Sequence, residues 1–451
     1  MPINLRFLAL LAVSLALALP VQANPFETTL KNGLKLIVKE DRRAPTVVHM
    51  AWYRVGSMDE VDGSSGLAHL LEHMMFKGTP SVGPGEFNKR VAAAGGRDNA
   101  FTSRDYTAYY QQVPKEKLEE MMALEADRMR HLNVDPKEFE PEIKVVMEER
   151  RLRTDDNPHA KLFEQMNAVA FQAHPYRRPV IGWMNDLQNM TAADAKAWYE
   201  QWYVPNNAYV VVVGDVDHRE VFRLAEKTYG PIESRALPLR RPLAEPEQKG
   251  LRRITVKAPA ELPMLAMGYK VPALRDVLKD KDVYALDMLS VILDGYDAAR
   301  FGKHLVRAQK VAQSAGTSYD STGRGPGMFY LYGAPAAGKT ANDLEIALRA
   351  EIAKIQREGV SEAELKRAKA QLLAAQIYKL DSMQGQAMEI GSAEGVGLSY
   401  RDIDTMIEGI RQVTAEEVKA VALKYFSDDT LTIGVLDPQP LPAKQQAKGI
   451  Q

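Results

Sequence analysis

The 451-residue chain carries 58 Lys and Arg against 59 Asp and Glu, which gives a formal net charge of −1. Balanced charge of this kind argues against a nucleic-acid-binding protein, because such domains are usually strongly basic. The chain has no cysteine. It can therefore form no disulfide bond, no thiolate metal site and no cysteine nucleophile, and any metal ion would have to be held by His, Asp and Glu.

The first 23 residues have the pattern of an export signal. Arg6 is followed by the apolar run Phe7–Leu19 and by a small-residue cleavage signal that ends at Ala23. The run has 13 residues, whereas a helix that spans a bilayer needs roughly 20, and no later stretch approaches that length. We therefore expect residues 1–23 to be a signal peptide and the mature protein to be soluble, without a stable membrane span, in the periplasm.

The first predicted strands follow this leader. Residues 30–38 alternate apolar and polar side chains around Asn32-Gly33, a pair that is typical of a hairpin turn. Residues 46–55 are predicted to form a further strand. Helical spacing of apolar residues then predicts helices over 66–77, 115–131 and 136–153.

The predicted helix over 66–77 carries His69, Glu72 and His73. Residues four apart lie on the same face of a helix, so both imidazoles could reach a single ion. Two imidazoles, one carboxylate and an open fourth position form a catalytic zinc site, and Glu72 would lie where it can accept a proton from water. The alternative is an amphipathic helix with two polar histidines and no metal. The other histidines have no partner at such a spacing and are expected to be structural; they are His49, His131, His159, His174, His218 and His304.

A third ligand is predicted on the segment 135–153, which opens with Asp and Pro as a helix often does. At about 100° per residue, Glu142 and Glu149 lie beside the apolar face of this helix, whereas Glu148 points away from it. Glu149 is therefore the expected ligand and Glu142 a supporting carboxylate. The alternative is that both are solvated acids of an ordinary helix.

An internal repeat predicts two copies of one domain. The segments that begin at Thr191 and Thr414 align without gaps at an offset of 223 residues, and each has a capping box, a helical period, a turn and an apolar strand. We therefore expect an α+β fold of two homologous domains, each a mixed or antiparallel β-sheet covered by α-helices. The expected domains are 26–235 and 251–440, joined by a Pro-rich, charged linker at 236–250.

The H-L-L-E-H motif at 69–73 is followed 76 residues later by Glu149, and Glu142 lies seven residues before that glutamate. This pattern resembles the pitrilysin and mitochondrial processing peptidase family of inverzincin zinc metallopeptidases, in its exported two-domain form. Further blocks that resemble the family lie at 97–110, 146–150, 174–182 and 203–214. The resemblance implies the family's metallohydrolase fold and one zinc ion per chain, with ligands His69, His73 and Glu149, general base Glu72 and assisting carboxylate Glu142.

The same resemblance gives the segment Asn99-Ala100-Phe101 a substrate-binding role, because this family lays an extended peptide against the edge of a strand there. An edge strand offers unpaired backbone groups, so it can bind a peptide with little demand on its sequence. The alternative is an ordinary strand with no part in binding.

The second half of the chain carries only His304 and no H-x-x-E-H motif. The family contributes from this half an Arg and a Tyr, seven residues apart, that hold the substrate carbonyl. Arg307 is present, but Gln313 or Ser314 stands where the tyrosine is expected. We therefore expect a heterodimer with a homologue that lacks the zinc motif and carries the Arg/Tyr pair. The alternative is a homodimer or monomer in which Gln313, Tyr319 or another residue substitutes.

These patterns predict an exported zinc-dependent endopeptidase or oligopeptidase that hydrolyses peptides or unfolded polypeptide segments, with Glu72 as general base. One alternative is a non-catalytic peptide-binding or assembly subunit of the same fold, since fold alone does not carry function. Another is an exported metal-storage or chaperone protein, which would bind metal without needing Glu72.

Overall fold

The computed structural model describes residues 25–441, which form two halves, each built on one β-sheet. The predicted signal peptide, 1–23, lies outside the described residues. The strands of the first half are β1 (Phe26–Thr29), β2 (Lys35–Glu40), β3 (Thr46–Tyr53), β4 (Arg97–Thr102), β5 (Thr107–Pro114) and β6 (Ala208–Gly214). The strands of the second half are β7 (Arg252–Pro259), β8 (Met264–Val271), β9 (Ala312–Tyr319), β10 (Gly327–Pro335) and β11 (Leu431–Gln439).

Helices lie between these strands in both halves. Those of the first half are α1 (Leu67–Met74), α2 (Glu86–Ala93), α3 (Leu118–His131), α4 (Pro136–Arg150), α5 (Pro158–Ala170), α6 (Met184–Asn189), α7 (Ala192–Trp202) and α8 (His218–Thr228). Those of the second half are α9 (Lys281–Asp294), α10 (Ala341–Glu358), α11 (Glu362–Lys379), α12 (Met383–Gly395), α13 (Ile403–Gln412) and α14 (Ala415–Tyr425).

The two sheets share one strand order. The first runs β1-β2-β6-β3-β5-β4 and the second runs β7-β11-β8-β10-β9. In both, one pair is parallel, β2 with β6 and β7 with β11, and the remaining neighbours are antiparallel. The predicted α+β fold of two homologous domains with mixed sheets is therefore confirmed, and the first sheet has the additional edge strand β1.

The internal repeat corresponds to the same helix–turn–strand unit in each half. Thr191 caps α7 through a capping box with Asp194, and Thr414 caps α14 through a capping box with Glu417. Each helix leads through a short 3₁₀ turn into an interior strand of its sheet, β6 or β11. The repeat predicted from the sequence is therefore confirmed.

The earlier elements also follow the predicted pattern, with shorter helices. Gly33 adopts φ 88° in the turn between β1 and β2, as the Asn-Gly pair predicts. The predicted strand over 46–55 is β3, and the three predicted helices are α1, α3 and α4. The segment 151–155 after α4 is a π-helical turn, and residues 115–117 before α3 form a 3₁₀ turn.

Each sheet is covered on one face by its own helices and on the other by a helix of the opposite half. Helix α12 of the second half packs Ala387 and Ile390 against the face of the first sheet that carries Trp52. Helix α5 of the first half packs Leu162 and Met166 against the second sheet. Because both faces of the first sheet are buried, its interior strand β6 is buried at every position from Ala208 to Gly214 and carries a run of four valines.

The predicted linker, 236–250, has no helix or strand, and its side chains contact both halves. Arg240 contacts Asp59 of the first half at 2.7 Å. Glu245 accepts hydrogen bonds from the backbone N–H groups of residues 172–174 and from Lys270 of the second half. The domain boundaries themselves stay predictions. Within residues 25–441, no helix combines the length and apolar character that crossing a membrane requires.

Candidate metal centre

Helix α1 presents both histidines of the H-x-x-E-H motif on one side. It begins after Gly66, which adopts φ 89°, and its apolar residues pack into the core of the first half. The His69 and His73 rings lie 4.8 Å apart between centroids, as expected for residues one helical turn apart. His69 is buried and His73 is half-buried, so the two imidazoles line a recess instead of the open surface.

Helix α4 brings Glu149 to the same place. Its Oε2 atom lies 3.3 Å from Nε2 of His73 and 3.7 Å from Nε2 of His69. Three ligand atoms held by a tetrahedral zinc ion at about 2.1 Å would lie roughly 3.4 Å from one another. The two imidazoles and the carboxylate, whose ligand atoms all lie within 4.8 Å, therefore fit a zinc ion in both donor chemistry and spacing. Glu148 points to solvent and pairs with Arg151.

Glu142 contacts the outer nitrogen of His73. Its Oε1 atom lies 2.7 Å from Nδ1 of His73, and its Oε2 atom pairs with Lys77. A carboxylate on Nδ1 fixes the ring so that Nε2 faces Glu149. The contact also explains why Glu142 lies seven residues before Glu149, because two helical turns place both on the side of α4 that faces α1.

Glu72 does not lie in the ligand group and instead meets the end of strand β4. The hydroxyl of Thr102 donates a hydrogen bond of 2.6 Å to Oε2 of Glu72. Sequence analysis did not identify Thr102, although the two-residue period of a strand places it on the same face as Ala100. That alternation could have drawn attention to it once β4 had been assigned as a strand.

The ionisation of these groups follows from their burial and neighbours. Burial, followed by the charge of His73, lowers the pKa of His69 to about 3, so this imidazole is neutral. Burial also lowers the pKa of His73, but its hydrogen bond to Glu142 and the surrounding carboxylates outweigh burial and raise the pKa overall. Burial raises the pKa of Glu72, in spite of the hydrogen bond from Thr102. A raised pKa makes Glu72 a stronger proton acceptor near neutral pH.

Strand β4, which carries Asn99, Ala100 and Phe101, forms the edge of the first sheet. It pairs with β5 on one side, and the described strands leave its other side open. Ala100 packs toward the core that α1 joins, whereas the Phe101 ring packs on Trp52 at the opposite face of the sheet. Any contribution of Phe101 to binding beside the metal recess would therefore come from its backbone.

The second-half residues that the family resemblance relates to carbonyl binding lie at and near strand β9. Arg307 belongs to the π-helical segment Phe301–Ala308 and donates a hydrogen bond to the carbonyl of Asp297. Gln313 and Ser314 are exposed on β9. The Tyr319 hydroxyl donates a hydrogen bond of 2.7 Å to the carbonyl of Pro272. The heterodimeric partner stays a prediction.

Most remaining histidines contact residues outside the proposed ligand group. His49 is fully buried between Gln111 and Tyr229, and the others with hydrogen-bonding or ion-pair partners are His131, His174, His218 and His304. His218 also lies with Glu40 and Asp217 in a second group of close ligand atoms. Sequence analysis missed this group because Glu40 is far away in the chain. Within this group Glu40 is already hydrogen-bonded to His218, at 2.8 Å.

The chain belongs to the M16 peptidase family, the family of pitrilysin and mitochondrial processing peptidase, as comparison with known proteins shows. Residues 35–183 match the family described as "Insulinase (Peptidase family M16)", and residues 189–372 match the "Peptidase M16 inactive domain". The zinc protease PqqE of Helicobacter pylori is 34% identical over 418 residues, which cover 91% of this chain and 92% of that protein.

Further relatives agree with this assignment. A probable mitochondrial-processing peptidase beta subunit of Arabidopsis thaliana is 27% identical over 431 residues, which cover 92% of this chain and 79% of that protein. The crystal structure of a Helicobacter pylori protease has a TM-score of 0.87 at 32% identity and covers 92% of this chain and 100% of that one. A peptidase M16 inactive domain from Pseudomonas fluorescens, at 18% identity and a TM-score of 0.82 over 93% of this chain and 100% of that one, shares the fold. The predicted family is confirmed, and the relatives named zinc protease support a zinc metallopeptidase-like function.

Proposed function

We propose that the chain is a zinc-dependent endopeptidase or oligopeptidase that hydrolyses peptides or unfolded polypeptide segments. The observation that carries the proposal is the convergence of His69, His73 and Glu149, with ligand atoms within 4.8 Å, beside Glu72 and the open edge of β4. The relatives named zinc protease support the same assignment.

The three ligands would hold one zinc ion, which supplies a Lewis acid that polarises the scissile carbonyl and lowers the pKa of water. Glu142 fixes the His73 ring through Nδ1, which leaves Nε2 for the ion. Glu72 accepts the proton of the attacking water and passes it to the leaving amine. Because Thr102 occupies Oε2 of Glu72, we assign this proton transfer to Oε1.

The substrate would bind as an added strand on β4, along Asn99, Ala100 and Phe101. Backbone hydrogen bonds to an edge strand place few demands on sequence, but they require an extended peptide. Flexible peptides and unfolded segments meet this requirement, whereas folded proteins keep their backbone groups paired internally. The proposed substrate class follows from this difference.

The test is a comparison of wild type and Glu72→Gln at full zinc loading, with an unstructured fluorogenic peptide as substrate. We expect the variant to keep its zinc and to lose at least ~10²-fold in kcat, the usual low end for a general base. Glu148→Gln, which changes an exposed glutamate on α4, is the matched control and should retain activity. A zinc-loaded wild type without peptidase activity would favour the metal-storage alternative.

We also propose export to the periplasm and a heterodimeric partner. The leader pattern at 1–23 supports export, and N-terminal sequencing of the protein from a periplasmic fraction should begin after Ala23. Arg307 without a tyrosine at Gln313 or Ser314 supports the partner, since losing one donor to an oxyanion typically costs ~10²–10³ in rate. Full activity of the isolated chain, unchanged by a zinc-motif-lacking homologue, would favour a homodimer or monomer in which Gln313, Tyr319 or another residue substitutes.

A further inference from the structure

The helices that carry the three proposed ligands both contact one short segment, residues 178–187, here called the clasp. Helix α1 meets it with its N-terminus and helix α4 with its C-terminus. At the α1 side, the backbones of Gly66 and Gly182 touch. Both adopt positive φ, 89° and 85°. A Cβ on Gly182 would lie 2.3 Å from the carbonyl oxygen of Ser65, and a Cβ on Gly66 would lie 2.6 Å from that of Ile181. The two glycines therefore permit a backbone approach that no other residue allows.

Hydrogen bonds secure this approach. Ser65 donates through both its N–H (3.1 Å) and its hydroxyl (2.5 Å) to Asp186, and the Trp183 N–H donates 2.9 Å to the Ser65 hydroxyl. The buried carboxylate of Glu60 accepts from the N–H groups of Gly66 and Ala68, which are free at the start of a helix. The N-terminus of α1 is thus fixed to the clasp directly before His69.

At the α4 side, Arg150 makes the connection. Its Nη1 donates 2.7 Å to the carbonyl oxygen of Gly182. The same guanidinium forms a bidentate ion pair with Glu164 of α5, at 2.8 and 2.9 Å. Arg150 is only 4% exposed and directly follows Glu149. Successive helical residues point about 100° apart, so Glu149 faces the histidines while Arg150 faces the clasp.

We propose that Arg150 is a positioning residue for the metal centre, and this inference rests on the proposed function. The contacts run without interruption from α1 through Gly66 and Gly182 to Arg150 and then to Glu149. Metal geometry requires ligands to be held within about 0.5 Å, and such accuracy depends on the groups that support them. Arg150 therefore sets the distance of Glu149 from the two imidazoles. Its ion pair with Glu164 is a separate contribution to stability.

The two contributions can be separated by substitution. Arg150→Lys keeps a positive charge for Glu164 but lacks the planar fork that reaches two acceptors at once. Glu164→Gln weakens the ion pair and leaves the contact with Gly182 in place. Arg151→Lys is the matched control, because Arg151 is the next residue and pairs with the exposed Glu148. Arg150→Met removes the contacts of the guanidinium with Gly182 and Glu164, together with its ion pair to Asp155.

The experiment measures zinc affinity by chelator competition, the visible spectrum of the cobalt-loaded protein and thermal unfolding of the metal-free protein. We expect Arg150→Lys and Arg150→Met to weaken zinc binding by about 10-fold or more and to change the cobalt spectrum. Arg151→Lys should match wild type, and Glu164→Gln should lower Tm without changing zinc affinity. Should Arg150→Met not fold, Arg150→Lys decides the question.

Two results would overturn the inference alone: wild-type zinc affinity and cobalt spectrum in folded Arg150→Lys, or an equal loss of affinity in Glu164→Gln. The second would mean that zinc affinity follows general stability and not the contact with Gly182. A wild-type chain that binds no zinc would instead overturn the proposed function, and the inference with it.

Discussion

The two halves have the same strand order, yet their corresponding helices carry different kinds of side chain. Helix α1 follows β3 and carries two histidines and a glutamate among its apolar residues. Its counterpart α9 follows β8 and buries eight residues, all without charge, from Val283 to Leu293. Among residues 25–441, both groups of converging ligand atoms lie in the first half. The shared pattern of strands and helices determines the fold, whereas a few polar residues on one helix pair determine the site.

The largest expected effect comes from removing one proposed zinc ligand of the first half, since these ligands are what distinguishes it from the second half. Glu149→Gln should lose bound zinc and all peptidase activity above background, because an amide is a far poorer zinc ligand than a carboxylate. Elemental analysis and a peptide assay measure both. The adjacent Glu148→Gln should behave as wild type. If the two variants exchange these phenotypes, the assignment of the ligand on α4 is wrong.

A smaller effect is expected at the contact between β4 and Glu72. Thr102→Val removes the hydroxyl that donates to Glu72 and keeps the shape of the side chain. A hydrogen bond to a charged group is worth ~1.5–3 kcal/mol, so kcat should fall ~10-fold to ~100-fold while zinc remains bound. Thr102→Ser restores the donor and should recover most of the rate. Equal rates for Val and Ser at this position would show that the hydroxyl has no role.

The smallest expected effect concerns the contact that joins the halves. Burial raises the pKa of Glu245, but three backbone N–H groups and Lys270 outweigh it and lower the pKa to about 2 from the ordinary 4.5. A carboxylate whose pKa is lowered in the folded state stabilises the protein at pH values above its ordinary pKa. This stability is lost as the pH falls toward the pKa of the folded state.

Glu245→Gln should therefore unfold at lower temperature than wild type at neutral pH, with zinc affinity unchanged. The difference in Tm should shrink as pH falls from about 6 to about 3, because the wild-type carboxylate becomes protonated. Calorimetry at several pH values provides the measurement, and Glu247→Gln, an exposed linker acid paired with Lys249, is the control. A difference in Tm that does not change with pH would contradict the assignment.

Much of the fold could be predicted from the sequence because its signals are local. Asn32-Gly33 predicts a hairpin, and the boxes at Thr191 and Thr414 predict equivalent helices. The exchange of helices α5 and α12 between the sheets could not be predicted, since periodicity indicates a buried face but not what covers it.

Part of the proposed site could also be predicted from the sequence, and part could not. His69 and His73 are one turn apart and Glu149 lies on a helix face that can be calculated, so the sequence predicts that these three side chains converge. Their role as zinc ligands stays a proposal. Thr102, Arg150 and the clasp were missed because their partners are distant in the chain, and only the folded structure brings them together.

The central claim is that a single zinc ion binds in the first half, between α1 and α4. Anomalous diffraction at the zinc absorption edge, from crystals grown with one equivalent of zinc, tests it most directly. We expect one strong peak about 2.0–2.2 Å from Nε2 of His69, Nε2 of His73 and a carboxylate oxygen of Glu149. A peak at Glu40, Asp217 and His218 instead, or no peak beside His69 and His73, would contradict it.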